Sequence, residues 1–520
     1  MIEKNKKAVK TVSMIVAATA FSKVLGLIRD ILMAHFYGGS AENAAFATAS
    51  RIPRDLFDIF LGAAILGAFI PVYNSLDSNG ENGEKKEKEA FAGVFLNAVL
   101  LATGLIALLG ILFSRQLIDF VTPDYDAATA KLASELLALL FPMIVFTGAV
   151  YTLTGILQSG GEFLAPALVS AVSNLGVIAY FLLFDRRFGI GGLGAAYLVS
   201  WGVQLLTLVV PLLRKKYKYK FSLNLKNPAF AKAMKMTLPI MAGSWLLPFG
   251  MLVGQRFLSF SEFYINAFDY STKLFLLVSG ILTHSICNYL FPSLAKSANE
   301  PEQFAKIVKS GLSAAFFVIL PVACLVYVLK GEAVAVLFGH GKFRETAGLA
   351  TSTAQMVAAL APAMMTFSMI EILNRVFYSK GQTRFPMAAS LTGIAANIAL
   401  CWLFMSKLGF SPIYVALSLF LCQALAAAVL TFALKKKIKG VLDRGFLKNI
   451  AKIALSASIM LLLAQTMHHM IKTNAFEAGI FANIAVAAGT AAVGACIYLG
   501  LNLIFGTEEA KFIAKILKRK

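Results

Sequence analysis

The sequence predicts an all-α polytopic membrane protein, and three observations support this fold class. First, 58% of its 520 residues are hydrophobic and 14% are charged, whereas soluble domains are about 45–50% apolar and about 25% charged; the mean hydropathy is +0.74. Second, the apolar residues form about fourteen runs, each long enough for the roughly 20 residues of a spanning helix. Third, the second half repeats motifs of the first. Together these predict two parallel six-helix repeats followed by two C-terminal helices.

The predicted spans lie between polar breaks in the sequence. Loops on the N-terminal side of the membrane contain far more Lys and Arg than those on the opposite side, notably at 214–226 and 435–448. Because such loops stay in the cytoplasm and the number of spans is even, both termini are predicted to be cytoplasmic. This topology accounts for most of the net charge of +21, so the charge does not indicate nucleic-acid binding. The approximate limits of the spans are 11–36, 44–75, 89–114, 127–158, 163–185, 191–213, 231–259, 262–295, 303–329, 345–379, 384–406, 409–434, 447–471 and 477–505.

Two motifs recur at an offset of 220 residues. Pro142 of LFPMIVF corresponds to Pro362 of LAPAMMTF, and Gly161 of QSGGEFLAP corresponds to Gly381 of YSKGQTRFP. Six predicted spans separate the copies, so both halves should have the same orientation. Parallel repeats are a transporter architecture in which the substrate binds between the halves. The predicted regions are an N-terminal lobe at 1–220, a C-terminal lobe at 221–440, and two extra spans with a basic cytoplasmic tail at 441–520.

Charged residues interrupt the opening spans of both halves. A charge at the centre of a spanning helix costs about 2.5–3.5 kcal/mol on insertion scales, which is tolerable where charges line a hydrated interior or pair with one another. Basic residues slightly outnumber acidic ones there, which favours a basic cavity for an anionic substrate. The candidate substrate-binding residues are Lys23, Arg29, Asp30, Arg51, Arg54, Arg256 and Lys273.

Structural roles are the alternative for each of these charges. Arg29 and Asp30 could form a structural pair, although neighbours at i and i+1 do not face each other on a helix. Lys23 could extend towards the membrane surface. Asp58 could bind Arg54, which lies one turn before it.

Enzyme motifs are absent from the sequence. GHGKF at 339–343 lacks the GxxxxGK[ST] spacing of a phosphate loop, and the loops leave no room for a soluble catalytic domain. The five cysteines lie far apart in apolar segments, without the spacing of a metal or redox motif. We therefore predict no covalent catalysis, no cofactor and no metal site.

Several longer motifs occur in order between about residues 10 and 440: FSKVLGLIRDILMAHFYG, SRIPRDLFDIF with GAFIPVYN, GILQSGGEFLAPALVSAVSN, and NRVFYSKGQTRFPMAASLTGIAANI. Together they resemble the MurJ (MviN) family of lipid II flippases in the MATE-like MOP exporter superfamily. The resemblance implies two six-helix lobes forming a V, a central cationic cavity, and a hydrophobic groove at the last two helices for a lipid tail. The implied substrate is lipid II, an undecaprenyl pyrophosphate with a disaccharide-pentapeptide, which alternating access moves to the outer leaflet.

The resemblance also implies roles for individual residues. Lys23 and Arg29 would contact or position the pyrophosphate, with Asp30 as the adjoining acid. Lys273 stands at the basic position of the eighth span, and Arg51 at a further position that is basic in the family. An arginine suits a bidentate phosphate contact and a lysine a point-charge contact.

This sequence departs from the family pattern in two places. Ala44 stands where an acid commonly precedes the AF of the second span, and the arginine expected near Phe57 is absent. We expect Arg54 to supply that cation from a neighbouring position. Some relatives have a sodium site that needs an acid in the C-terminal lobe; Glu371 is a loose candidate, so sodium dependence is not predicted.

These inferences predict a bacterial lipid II flippase of the plasma membrane, acting in peptidoglycan assembly. Its predicted partners are lipid II or a related polyprenyl-pyrophosphate glycolipid, membrane lipids and the cell-wall synthesis machinery, without nucleic acid. Three alternatives stay open: a flippase for another polyprenyl-pyrophosphate glycan, a cation-coupled drug exporter with an acidic or aromatic cavity, and a membrane glycosyltransferase or polymerase.

Overall fold

A computed structural model describes residues 2–76, 81–215, 217, 219–471 and 475–517. Within these residues the regular structure is helical, without strands. Eleven helices are long and apolar enough to cross a membrane, and two bent helix pairs bring the number to thirteen. This confirms the all-α polytopic fold class. The first predicted span corresponds to a further helix, Ile2–Tyr37, whose apolar run is interrupted by charges. Side chains are not described at 2–13, 15–16, 55–56, 58, 63–64, 66, 81–86, 292, 295 and 516–517.

The chain forms two compact units. Unit 1 comprises Met1–Pro248 and Ser259–Glu262, and unit 2 comprises Phe249–Leu258 and Phe263–Lys520. The lobe limits predicted at residues 220 and 440 stay a prediction. The helices of unit 1 are α1 (Ile2–Tyr37), α2 (Ala41–Ser50), α3 (Phe57–Ala64), α4 (Ile70–Ser75), α5 (Glu81–Leu112), α6 (Ser114–Val121), α7 (Ala127–Leu140), α8 (Met143–Ser159), α9 (Leu164–Leu183), α10 (Asp185–Arg214) and α11 (Pro228–Gly243).

The second predicted span is a continuous run from α2 to α4 that contains two π-helical turns, Arg51–Leu56 and Ile65–Phe69. The first contains Pro53, which has no N–H for the regular α-helical ladder. π-Helical turns are local insertions that often accompany functional sites. The sequence pattern predicted the span but not these turns, the first of which contains Arg51 and Arg54.

Side-chain hydrogen bonds tie α1 to α9 and α10. Ser22 Oγ donates to the Ala167 carbonyl at 3.0 Å, and Tyr37 Oη donates to Asp185 Oδ1 at 2.6 Å. These bonds lie on either side of Arg29 and Asp30 along the helix. They therefore hold the middle of α1 against its neighbours.

Unit 2 contains most of α12 and all later helices. Its last two long helices pack along α14: Tyr498 Oη donates to the Phe317 carbonyl at 2.9 Å, and Asn449 Nδ2 donates to Ser313 Oγ at 2.9 Å. The lipid-tail groove predicted at these two helices stays a prediction. The helices are α12 (Leu246–Leu258), α13 (Glu262–Lys296), α14 (Pro301–Val328), α15 (Lys330–Phe338), α16 (Gly341–Glu345), α17 (Leu349–Leu360), α18 (Ala363–Ser379), α19 (Arg384–Cys401), α20 (Ile413–Lys437), α21 (Arg444–Ile471), α22 (Ile480–Phe505) and α23 (Glu508–Leu517).

The internal repeat is visible in the helix limits. Helices α8 and α18 begin and end 220 residues apart, and each follows a proline at its N-cap, Pro142 or Pro362. After each helix a glycine adopts positive φ, 75° at Gly161 and 66° at Gly381. Such a conformation favours glycine because it has no Cβ. The predicted repeat is thus confirmed at the level of the backbone.

Candidate functional site

Arg29 and Asp30 form an ion pair on α1. Arg29 Nη2 donates to Asp30 Oδ1 at 2.9 Å, and Arg29 Nε donates to the same oxygen at 3.2 Å. The expectation that these neighbours do not meet is therefore wrong, because the long arginine side chain reaches the adjacent carboxylate. The two side chains are 16% and 19% exposed, so each charge is mostly buried beside its partner.

Two residues of other helices also contact the Arg29 guanidinium. Asn174 of α9 accepts a hydrogen bond from Nη1 through Oδ1 at 3.0 Å. The ring of Tyr197 on α10 lies 5.9 Å from the guanidinium carbon, within the range of a cation–π interaction. Sequence analysis missed both residues. The available signal was that Asn174 is a polar residue in an apolar helix, at the end of a family motif.

Lys23 is exposed and lies on a different face of α1 from Arg29. Six residues separate them, which is about 9 Å along the helix axis and a rotation that leaves the side chains about 120° apart. The structure therefore does not bring them together on one face. Their joint contact with one pyrophosphate stays a prediction.

Arg51 and Arg54 lie in the first π-helical turn of unit 1. Arg51 is 2% exposed, whereas Arg54 is half-buried. Arg54 is close enough to Arg29 for electrostatic repulsion between the two cations, so it adds positive potential at the α1 pair. Its role as a replacement cation stays a prediction. Asp58, its suggested partner, lies outside the described side chains.

Lys273 on α13 forms an ion pair of unit 2. Its Nζ lies 2.6 Å from Asp269 Oδ2, one helical turn earlier, and the side chains are 17% and 4% exposed. The ammonium also lies 5.2 Å from the centre of the Tyr270 ring. Arg256 is an exposed residue near the end of α12. Both predicted cations of unit 2 are thus on its opening helices.

A further ion pair on α18 was not predicted as such. Arg375 Nη1 donates to Glu371 Oε2 at 2.7 Å and to the Glu371 carbonyl at 3.0 Å. His284 of α13 is close enough to interact electrostatically with Glu371. The acid considered for sodium therefore has an arginine on its carboxylate. Within the described part of the chain, no group of three His, Cys, Asp or Glu side chains could hold a metal ion.

Arg29 and Lys273 keep hydrogen-bond donors for an anion. A guanidinium has five N–H groups and an ammonium has three. The contacts with Asp30 and Asn174 use three of the five on Arg29, which leaves one N–H on Nη1 and one on Nη2. Each cation could thus donate to phosphate oxygens while its acid offsets the cost of burying it when no anion is bound.

Comparisons with known proteins identify the family of this chain. The profile of the family described as "Lipid II flippase MurJ" matches residues 33–486. A probable lipid II flippase MurJ of Bdellovibrio bacteriovorus is 27% identical over 530 residues, covering 99% of this chain and 98% of that protein. One of Thermotoga maritima is 26% identical over 445 residues, covering 85% and 87%.

Solved structures show the same fold. A lipid II flippase MurJ in an inward closed conformation matches with a TM-score of 0.77 at 23% identity, covering 94% of this chain and 98% of that structure. An inward-facing MATE multidrug transporter of the MOP superfamily matches with a TM-score of 0.65 at 13% identity, covering 82% and 98%. Because the family profile spans most of the sequence, this chain belongs to the MurJ family of lipid II flippases.

Proposed function

We propose that this chain flips lipid II and that Arg29 and Lys273 bind the pyrophosphate during transport. The observation that carries this proposal is that each residue is a mostly buried cation with an acid beside it and donors left over. Arg51, Arg54, Arg256 and Lys23 contribute further positive potential in their own units. Asp30 and Asp269 hold the cations in place and stabilise them when no substrate is bound.

The chemistry of this pairing suits a transporter. A pyrophosphate needs cations to leave water for a low-dielectric interior, yet a transporter must also release it. A cation that already has a carboxylate partner binds an anion less strongly than an unpaired one would. Alternating access then exposes the substrate to either leaflet. The membrane potential could bias this exchange, since moving one charge through 100 mV is worth about 2.3 kcal/mol.

The same proposal includes topology and partners. Both termini would lie in the cytoplasm of the bacterial inner membrane, in agreement with the basic loops at 214–226 and 435–448. Lipid II would enter from that side, and the cell-wall synthesis machinery would use it on the other. Membrane lipids would surround the apolar faces of both units.

Complementation tests the proposal. A bacterium depleted of its own lipid II flippase receives the wild-type chain, Arg29→Ala or Lys273→Ala, and lipid II exposed on the outer leaflet is measured at matched expression. We expect rescue by the wild type and loss of rescue by both variants. Lys131→Ala is the matched control, because Lys131 also pairs with an acid four residues away, Glu135 at 3.9 Å, but is 74% exposed; it should rescue fully.

The other outcomes separate the alternatives. Rescue by all variants would reject Arg29 and Lys273 as binding residues while keeping the substrate. A wild-type chain that is inserted but does not rescue would favour another polyprenyl-pyrophosphate glycolipid. Export of cationic drugs by that chain would indicate a MATE-type transporter. Elongation of labelled lipid II by the purified protein would establish an enzyme instead.

A further inference from the structure

We propose that Asn174 is a positioning residue for Arg29, and that Gly26 provides the space it needs. This inference rests on the proposed function, since it concerns how the same cation is presented to the pyrophosphate. Asn174 lies on α9, whereas Arg29 and Gly26 lie on α1. The side chain of Asn174 therefore links the orientation of a cation to the packing of two helices.

The two ends of the Asn174 carboxamide have different partners. Oδ1 accepts from Arg29 Nη1 at 3.0 Å, and Nδ2 donates to the Ser22 carbonyl at 3.2 Å. A guanidinium can only donate and a carbonyl can only accept, so the chemistry of the partners determines which end of the amide faces which. Asn174 is buried, at 7% exposure. Asn174 thus connects the arginine to the backbone of α1 about two helical turns earlier.

Asp30 and Asn174 restrict the guanidinium from two directions. Asp30 takes Nε and one N–H of Nη2, and Asn174 takes one N–H of Nη1. The two remaining N–H groups lie one on each terminal nitrogen. A guanidinium held in this way loses less conformational freedom when it binds an anion, which raises affinity. Without Asn174, only the contact with Asp30 and the Tyr197 ring would orient it.

Gly26 lies directly under the Asn174 amide. A Cβ at position 26 would lie 3.3 Å from Asn174 Nδ2, closer than ordinary van der Waals contact. The distance is small enough that the amide would have to shift by a few tenths of an ångström. The glycine is therefore needed for the position of the amide, not for an unusual backbone conformation of α1.

Gly26→Ala separates positioning from general stability. Alanine is a better helix former than glycine, so a purely structural view expects α1 to gain helix propensity. The positioning role instead expects weaker substrate binding, because the displaced amide would no longer hold Arg29 Nη1. Asn174→Asp is a second probe: it keeps an acceptor for Arg29, but adds a negative charge near the bound phosphate and removes the donor to Ser22.

The experiment measures lipid II binding and flipping by the full chain in proteoliposomes. We expect Asn174→Ala and Gly26→Ala to weaken lipid II affinity by about fivefold, the effect of one hydrogen bond, with a smaller change in the maximal flipping rate. In an Arg29→Ala background, neither substitution should weaken binding further, since residues acting through one another are not additive. Asn97→Ala is the control, because Asn97 also joins an element of unit 1 to a distant carbonyl, that of Ser222 at 2.9 Å.

Each result has a distinct meaning. Unchanged affinity in Arg29→Ala would reject Arg29 as a binding residue, and with it the positioning role, while keeping lipid II as the substrate. Loss in Arg29→Ala with wild-type affinity in both Asn174→Ala and Gly26→Ala would overturn only the positioning role. Two other results would also show that the role of Asn174 is only structural. One is an equal loss of lipid II affinity from Asn174→Ala in the presence and absence of Arg29. The other is the same loss of affinity in Asn97→Ala at equal thermal stability.

Discussion

Helices α8 and α18 occupy the same place in the two halves but differ in what they contain. At the 220-residue offset, Gly155 of α8 corresponds to Arg375 of α18, and Tyr151 corresponds to Glu371. In unit 1 the glycine lies against Phe69, and a Cβ there would be 2.8 Å from the phenylalanine ring. In unit 2 the same two positions form an ion pair at 2.7 Å.

This difference shows that the repeat determines the backbone but not the side-chain chemistry. The prolines and the positive-φ glycines occur at equivalent positions because both copies need the same breaks in the chain. Between those breaks, the first copy has close helix packing at these positions, and the second has a mostly buried charge pair. The ion pair of α18 therefore has no counterpart at the equivalent positions of α8.

Breaking the ion pair of α18 should have the largest effect. Arg375→Ala leaves the Glu371 carboxylate without its cation, and removing one partner of a buried pair costs about 3 kcal/mol. The double variant Glu371→Leu with Arg375→Met should cost less than Arg375→Ala alone, because no uncompensated charge remains. Thermal unfolding in detergent of all single and double variants gives the coupling energy. Additive losses would show that the pair does not act as a unit.

Replacing Gly155 of α8 by alanine should lower the stability of the protein by less than breaking the ion pair of α18. Gly155→Ala forces a methyl group against Phe69 Cδ1 at 2.8 Å and Ile65 Cγ2 at 3.0 Å, and overpacking of this kind costs about 2 kcal/mol. Gly104→Ala on α5 is the control, since a Cβ there meets nothing within 4 Å. It should leave the unfolding temperature unchanged or raise it. A neutral Gly155→Ala would mean that α8 and the π-helical turn Ile65–Phe69 can move apart without cost.

The fold could be predicted from the sequence because long apolar runs and repeated motifs are unambiguous features. Apolar runs gave the spans, and the recurring prolines gave the repeat, which the limits of α8 and α18 reproduce. The π-helical turn at Pro53 was not predicted, since a proline in an apolar run is compatible with a kink, a turn or a break. The bend of α17 against α18, 46°, was missed for the same reason, because both helices lie in one apolar run that contains Pro362.

The candidate site was predicted less completely than the fold. Their position inside apolar runs identified Arg29 and Lys273. The rule that neighbours at i and i+1 do not face each other on a helix led to a wrong expectation for Arg29 and Asp30, which form an ion pair. Asn174 could not be assigned to Arg29, because it lies 145 residues away and only the packing of α9 on α1 joins them. Contacts between distant segments depend on tertiary structure, which local pattern and propensity do not determine.

The smallest expected effect concerns α7 and α17, which end 220 residues apart, at Leu140 and Leu360, but begin with different N-caps. Asp126 caps α7, whereas α17 begins after Gly348 with φ of 79°. Hydrogen bonds from the Thr129 backbone N–H and hydroxyl, and then from the Ala128 N–H, lower the pKa of the exposed Asp126 carboxyl. Because the pKa is lower in the folded protein, folding favours the carboxylate form of Asp126. The carboxylate therefore stabilises the folded state fully above the ordinary Asp pKa of about 3.9, and this stabilisation is lost as the pH falls below that value.

Asp126→Asn should remove this acid dependence while keeping the cap, because asparagine caps helices about as well as aspartate. The unfolding temperature is measured from about pH 6 down to pH 3, for the wild type, Asp126→Asn and Asp126→Ala. As the pH falls towards 3, the unfolding temperature of the wild type should decline more than that of Asp126→Asn. Asp126→Ala should have a lower unfolding temperature than either of them at every pH. An identical decline in wild type and Asp126→Asn would place the acid sensitivity elsewhere. In that case the carboxylate of Asp126 would add no acid dependence, and the N-terminal ends of α7 and α17 would be equally insensitive to pH.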